Sequence, residues 1–229
     1  NQDVTHLLIG IMAGLTIVAG CMGALSGRDV RTIATYNVII GVGFILIGLA
    51  SGTETGFAGA IYYLVHDMLA KALLFLIVGT MTYLTGEIIV KNMSGLIRNY
   101  PLFGWLYFVV MCALAGIPPL SGFIGKVLIG QGAIEGENYV LLTIGFASSV
   151  IVLYSLLRIF LASFFGETTI SEDHKKPIPK LAMVSFATLA IIIISLGIGA
   201  EGIAPFVEDA ARTLANPSIY IEAILGDIE

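Results

Sequence analysis

Six apolar runs, at about 5–26, 33–50, 56–86, 103–133, 138–165 and 178–199, set the terms on which this chain can fold. A helix rises 1.5 Å per residue, so roughly 20 apolar residues cross the ~30 Å hydrocarbon core of a bilayer. The runs reach or approach that length, and the short polar segments between them hold nearly all the charge. Only 12% of the 229 residues are charged and 57% are hydrophobic, whereas a soluble domain carries about 25% charged residues. A chain this poor in charge cannot cover itself with a polar surface. The expected fold is an all-α integral membrane bundle of about six transmembrane helices, over residues 1–199.

Soluble chemistry finds no foothold. The net charge of −5 and the lack of a basic stripe exclude nucleic acid as a partner. No zinc spacing, phosphate loop, nucleophile elbow or dinucleotide fingerprint occurs, so no catalytic residue, metal or cofactor is expected. Cys21 and Cys112 lie inside apolar runs, where a thiol behaves as a small hydrophobe. No short basic leader precedes the first span, and the chain starts at Asn1, which fits an internal fragment.

Charge sets the orientation. With the N-terminus outside, the inside segments hold Arg28, Arg31, Lys91, Arg98, Lys175, Lys176 and Lys180, while the outside segments hold only Arg212. That is a strong positive-inside bias, and it fits a bacterial-type cytoplasmic membrane. Acids such as Glu54, Glu135, Glu137, Glu201, Glu208 and Asp209 collect outside. Residues 200–229 form an acidic amphipathic tail in which Phe206, Leu214, Tyr220 and Ile224 alternate with acids, and Asn216-Pro217 interrupts it. The third and fourth runs exceed one straight crossing, so each is expected to contain an interfacial extension or a break.

Three cations remain inside spans: Lys71, Lys126 and Arg158. A charge at a helix centre costs about 2.5–3.5 kcal/mol on insertion scales, so such residues face the bundle interior, a partner or a watery path. Arg158 lies about two turns from the inside end of its helix, near enough to snorkel, and a structural role is preferred. Tyr63, Asp67 and Lys71 recur every four residues along one helix stripe, with His66 beside them. The Asp67–Lys71 spacing suits a charge pair. Such a pair either fixes packing alone or tunes a lysine whose protonation answers a charge arriving next door; the second reading is preferred, because His66 adds a third titratable group.

In the fourth run, Ala115-Gly116-Ile117-Pro118-Pro119-Leu120-Ser121-Gly122-Phe123-Ile124-Gly125-Lys126 places two prolines and three glycines inside an apolar helix. A continuous helix through Gly116, Pro118, Pro119 and Gly122 is not expected. Irregular backbone at membrane depth survives only where protein buries it or water reaches it, and transporters place broken helices at their ion sites. Lys126 follows the break by about two turns; the alternative to a functional lysine is a packing kink with a snorkelling one. The spaced glycines Gly10/Gly14, Gly23/Gly27, Gly41/Gly43 and Gly52/Gly56 read as helix-contact faces. Tyr36 and Asn37 open the second span as anchors or caps.

The segments Asp29-Val30-Arg31 with Ala34-Thr35-Tyr36, His66-Asp67-Met68-Leu69-Ala70-Lys71, and Gly116 through Lys126 together resemble the antiporter-like membrane subunits of respiratory complex I and the Mrp cation/proton antiporters. The likeness covers nearly all of residues 5–199. Complex I subunits usually carry a histidine where Asp67 stands, and a Ser-rich, His-containing stretch where this chain has Asn37-Val38-Ile39-Ile40-Gly41. Those departures look like the D-type component of an Mrp antiporter.

The resemblance implies a fourteen-helix fold of two inverted repeats, of which this chain is the second repeat plus the last helix. It also implies that Lys71 and Lys126 carry protons, with Asp67 and His66 as modulators and Tyr63 as a relay hydroxyl or water organiser. The expected function is part of a proton-translocating subunit of a sodium/proton antiporter, working with other membrane subunits, the lipid bilayer, protons and Na+. The chain is then either a fragment of a longer subunit or a natural half completed by another chain. One rival is a proton-pumping subunit of complex I or a membrane-bound hydrogenase, powered by electron transfer in its partners. The other is a non-transporting helix bundle whose charges only pack.

Overall fold

The computed structural model describes residues 2–167, 175–216 and 218. Among the described residues nine α-helices follow one another: α1 Gln2–Ser26, α2 Val30–Ala50, α3 Glu54–Thr85, α4 Leu96–Asn99, α5 Pro101–Ala115, α6 Ser121–Glu135, α7 Tyr139–Phe164, α8 Lys180–Ile198 and α9 Ala200–Ala215. The same residues hold no strand, only an isolated antiparallel bridge between Asp29 and Ile89. Helices α1, α2, α3, α7 and α8 are each long and apolar enough to cross a membrane. The sixth crossing is made by two 15-residue half-helices, α5 and α6.

The bundle carries apolar side chains outside as well as inside, as lipid demands. Leu8, Ile11, Leu15 and Met22 of α1, and Leu181, Val184, Ile191 and Ile198 of α8, are all exposed. The core gathers around α3, which touches α2, α5, α6, α8 and α9.

Helix α3 runs unbroken for 32 residues, about 48 Å. The long third run therefore extends rather than breaks. It starts on Thr53, whose Oγ1 accepts from the Gly56 amide, and ends on Gly86 in the left-handed conformation; between them no proline interrupts it. Helix α2 begins at Val30, three residues before the apolar run, because Asp29 caps it by accepting from the Arg31 and Thr32 amides at 2.7 and 2.9 Å. Tyr36 and Asn37 thus cap nothing. Asn37 instead lies buried in the second turn and donates to Ser155 of α7 at 3.1 Å.

The two ends of the bundle differ in charge. At one end, Val30 donates to Ile88 and Val90 to Arg28, tying the α1–α2 turn to the segment after α3. Lys176 donates to the Tyr83 carbonyl there, and the Tyr100 hydroxyl to the Lys176 carbonyl. This end carries the seven loop cations. At the other end Thr55 donates to Glu135 at 3.1 Å, and Arg212 of α9 pairs with Glu54 of α3 at 3.0 Å. Helix α9 lies along α3 and ends before Asn216; of the expected tail, Tyr220, Ile221, Ile224 and Leu225 lie outside the described residues.

Candidate functional site

On α3 the four-residue spacing brings Lys71 and Asp67 together, with Nζ 2.5 Å from Oδ2. Both residues are buried, at 7% and 5% exposure. The ammonium also donates to the Val38 carbonyl of α2 at 3.1 Å. A charge with no access to water needs such partners, since removing one partner of a buried pair costs several kcal/mol, roughly 3–5. The facing helix is shaped for them at Gly41. A Cβ there would collide with Lys71 Nζ and Asp67 Oδ1, so a glycine lets α2 close over the pair without displacing either group.

The broken helix explains where Lys126 goes. In a continuous helix the carbonyls of Leu114 and Ala115 would accept from the amides of residues 118 and 119. Those residues are Pro118 and Pro119, joined by a cis peptide, and proline has no N–H. Gly116, at φ 83°, ends α5 with its own amide and that of Ile117 turned back to Cys112. Lys126 supplies the missing donors: Nζ lies 2.9 Å from the Leu114 oxygen and 3.0 Å from that of Ala115. A cation at a helix C-terminus also meets the negative end of the helix dipole. Lys126 is 4% exposed, and its ammonium stands 5.4 Å from the centre of the Phe44 ring.

His66 joins the two halves of this axis. Its Nδ1 is 2.7 Å from the hydroxyl of Ser121, the first residue of α6. The Tyr63 ring packs between Phe44 and His66, with ring centres 5.3 and 5.6 Å apart, and Gly125 of α6 lets it approach. Gly122 lies beside His66 in the first turn of α6. Two buried polar atoms, His66 Nε2 and Asp67 Oδ1, have no protein hydrogen-bond partner among the described residues. Buried polar atoms are almost always partnered, by protein or by ordered water.

Tyr63, His66, Asp67, Lys71 and Lys126 therefore lie in the packing between α2, α3, α5 and α6. Sequence reasoning did not find Ser121, Phe44, the Val38 carbonyl or the role of Gly41, which it grouped with Gly43 as a helix contact. Gly43 does meet Ile17 of α1, but Gly52 belongs to the turn between α2 and α3, at φ 67°, and not to a helix face. Arg158 stands apart from this axis. Its guanidinium caps the end of α1, donating to the Leu25 carbonyl at 3.0 Å and the Gly27 carbonyl at 2.5 Å.

Comparison with known proteins places the chain. Residues 1–152 match the family model described as NADH:quinone oxidoreductase/Mrp antiporter, transmembrane. The D component of the Na+/H+ antiporter of Bacillus subtilis is 42% identical over 97% of this chain, which spans 45% of that relative. The structure of the Mrp complex from Dietzia superposes with a TM-score of 0.90 at 25% identity, over 98% of this chain and 50% of the matched one. The archaeal membrane-bound sulfane sulfur reductase, a respiratory complex, matches at TM-score 0.80 and 35% identity, over 84% of this chain and 32% of the matched one. The chain thus spans about half the length of the relatives in the first two comparisons. The bundle with its broken helix matches the Mrp structure in fold, and with residues 1–152 matching the family model the chain belongs to the NADH:quinone oxidoreductase/Mrp antiporter transmembrane family.

Proposed function

We propose that the chain is the C-terminal part of a proton-conducting subunit of a multi-subunit Na+/H+ antiporter in a bacterial cytoplasmic membrane. The observation that carries this reading is Lys126: a buried ammonium held on two carbonyls that a proline pair has deprived of amides, on the same bundle axis as the Asp67–Lys71 pair. Lys126 and Lys71 hold and pass protons. A proton arriving on one group disfavours the charged form of the other, so charge moves along the axis by electrostatic coupling. Asp67 holds the ammonium of Lys71, and His66 links that pair to the broken helix through Ser121. His66 Nε2 and Asp67 Oδ1, which have no protein partner among the described residues, are the points at which the axis would take up water or a proton. Tyr63 packs the axis and offers a relay hydroxyl.

The test uses the full-length protein with its partner subunits in everted membrane vesicles, with Na+-induced dissipation of a proton gradient as readout. Lys126→Ala should reduce exchange to background while the complex still assembles. Normal exchange in that variant overturns the proposal. A second reading, a redox-driven proton pump, is favoured by the 35% identity to the archaeal respiratory complex; flavin and iron–sulfur absorbance in the purified native complex would select it.

A further inference from the structure

At the basic end of the bundle, the turn after α1, the segment after α3 and the last third of α7 enclose a cleft of about 560 Å³. Arg28, Lys91 and Arg158 line it, with Ile89 and Ala162 among the apolar walls. Among the described residues no carboxylate lines it. The nearest acids in sequence are already engaged: Asp29 caps α2, and Glu87 accepts at 3.1 Å from the side-chain amide of Asn92, a residue of the cleft's rim. Arg158 is fixed by the carbonyls of Leu25 and Gly27, but a guanidinium has five N–H groups, and two bonds do not exhaust it. From this cleft a second groove of about 430 Å³ continues along α7, sharing Arg158 and Ala162 and adding Tyr154, Leu157 and Leu161. Tyr154 and Leu161 are more than half exposed.

We propose that this pair of cavities is a binding site for an anionic phospholipid of the inner leaflet. The headgroup phosphate sits among Arg28, Lys91 and Arg158, and an acyl chain follows the Tyr154–Leu161 face of α7. Depth and shape support a lipid over a soluble anion. Arg158 lies six residues before the end of α7, about 9 Å, where headgroups meet hydrocarbon, and the apolar groove gives a free phosphate nothing to bind. Three cations beside an apolar track match the charge and form of the ligand.

The experiment uses the full-length protein in its native complex, equilibrated with equal phosphatidylglycerol and phosphatidylcholine in nanodiscs, with retained lipid counted by native mass spectrometry. The wild type should keep phosphatidylglycerol in preference to phosphatidylcholine. Arg28→Gln with Lys91→Gln should lower that retention roughly ten-fold or more, with subunit composition unchanged. Arg158 is spared because it also caps α1; if the double variant fails to assemble, Lys91→Gln alone should show a several-fold loss. Equal retention in wild type and variant, equal retention of both lipids, binding of inorganic phosphate without lipid, or cross-linking of residue 91 to a neighbouring subunit that fills the cleft would each overturn the proposal.

Discussion

Gly41 has no side chain to contribute, yet its backbone lies directly over the Asp67–Lys71 pair. Gly41→Ala would drive a methyl into the ammonium and the carboxylate, at a cost of about 1–3 kcal/mol if the helices must separate. The expected result is a protein that assembles but exchanges poorly, measured in the same vesicles; full activity would show that the pair tolerates displacement. The pair itself separates a packing role from a conducting one. If Asp67 and Lys71 only pack, neutralising both should restore what either single change breaks; a conducting role predicts that Asp67→Asn with Lys71→Met stays inactive. The ionisable members of this axis were legible in the sequence because a charge in an apolar run has few bland explanations. Phe44 and Ser121 were not, since a phenylalanine and a serine in a membrane helix are ordinary, and only the approach of α2 and α6 to α3 gives them partners.

Among the elements, the caps are the most exposed to test. Burial pushes the Asp29 carboxyl up, but the hydroxyl and amide of Thr32, with the amide and charge of Arg31, outweigh it and hold the group below the usual carboxylate range. A lowered pKa stabilises the fold above the unfolded value near 3.9, and that stability is lost as pH falls through the lower folded value. Asp29→Ala should therefore cost about 1 kcal/mol near neutral pH, with the difference from wild type shrinking below about pH 4 in a thermal unfolding series. Arg158→Met should cost more, about 1.5–3 kcal/mol, because it strips charged donors from two carbonyls at the end of α1. The early start of α2 escaped the apolar pattern because hydropathy sees Arg31 as a loop residue, whereas Asp29 had already begun the helix. The break between α5 and α6 was legible because proline acts on the backbone directly, whatever surrounds it.

For the whole molecule, the distribution of charge predicts its sidedness. A single cysteine at Lys91 should react with an impermeant thiol reagent only from the cytoplasmic side, and one at Glu135 only from outside; the reverse pattern would invert the bundle. Six crossings and their order could be read from hydropathy, but the way the crossings enclose one polar axis could not, because that depends on which faces of α2, α3 and α6 meet. The break in the sixth crossing has a further consequence for inheritance. Pro118 and Pro119 remove two amides from the backbone, and Lys126, a helix turn or two away, returns two donors. A lineage that loses the lysine inherits two orphaned carbonyls, and one that regains both amides inherits a lysine with nowhere to rest. Positions 118, 119 and 126 thus answer one hydrogen-bond requirement between them.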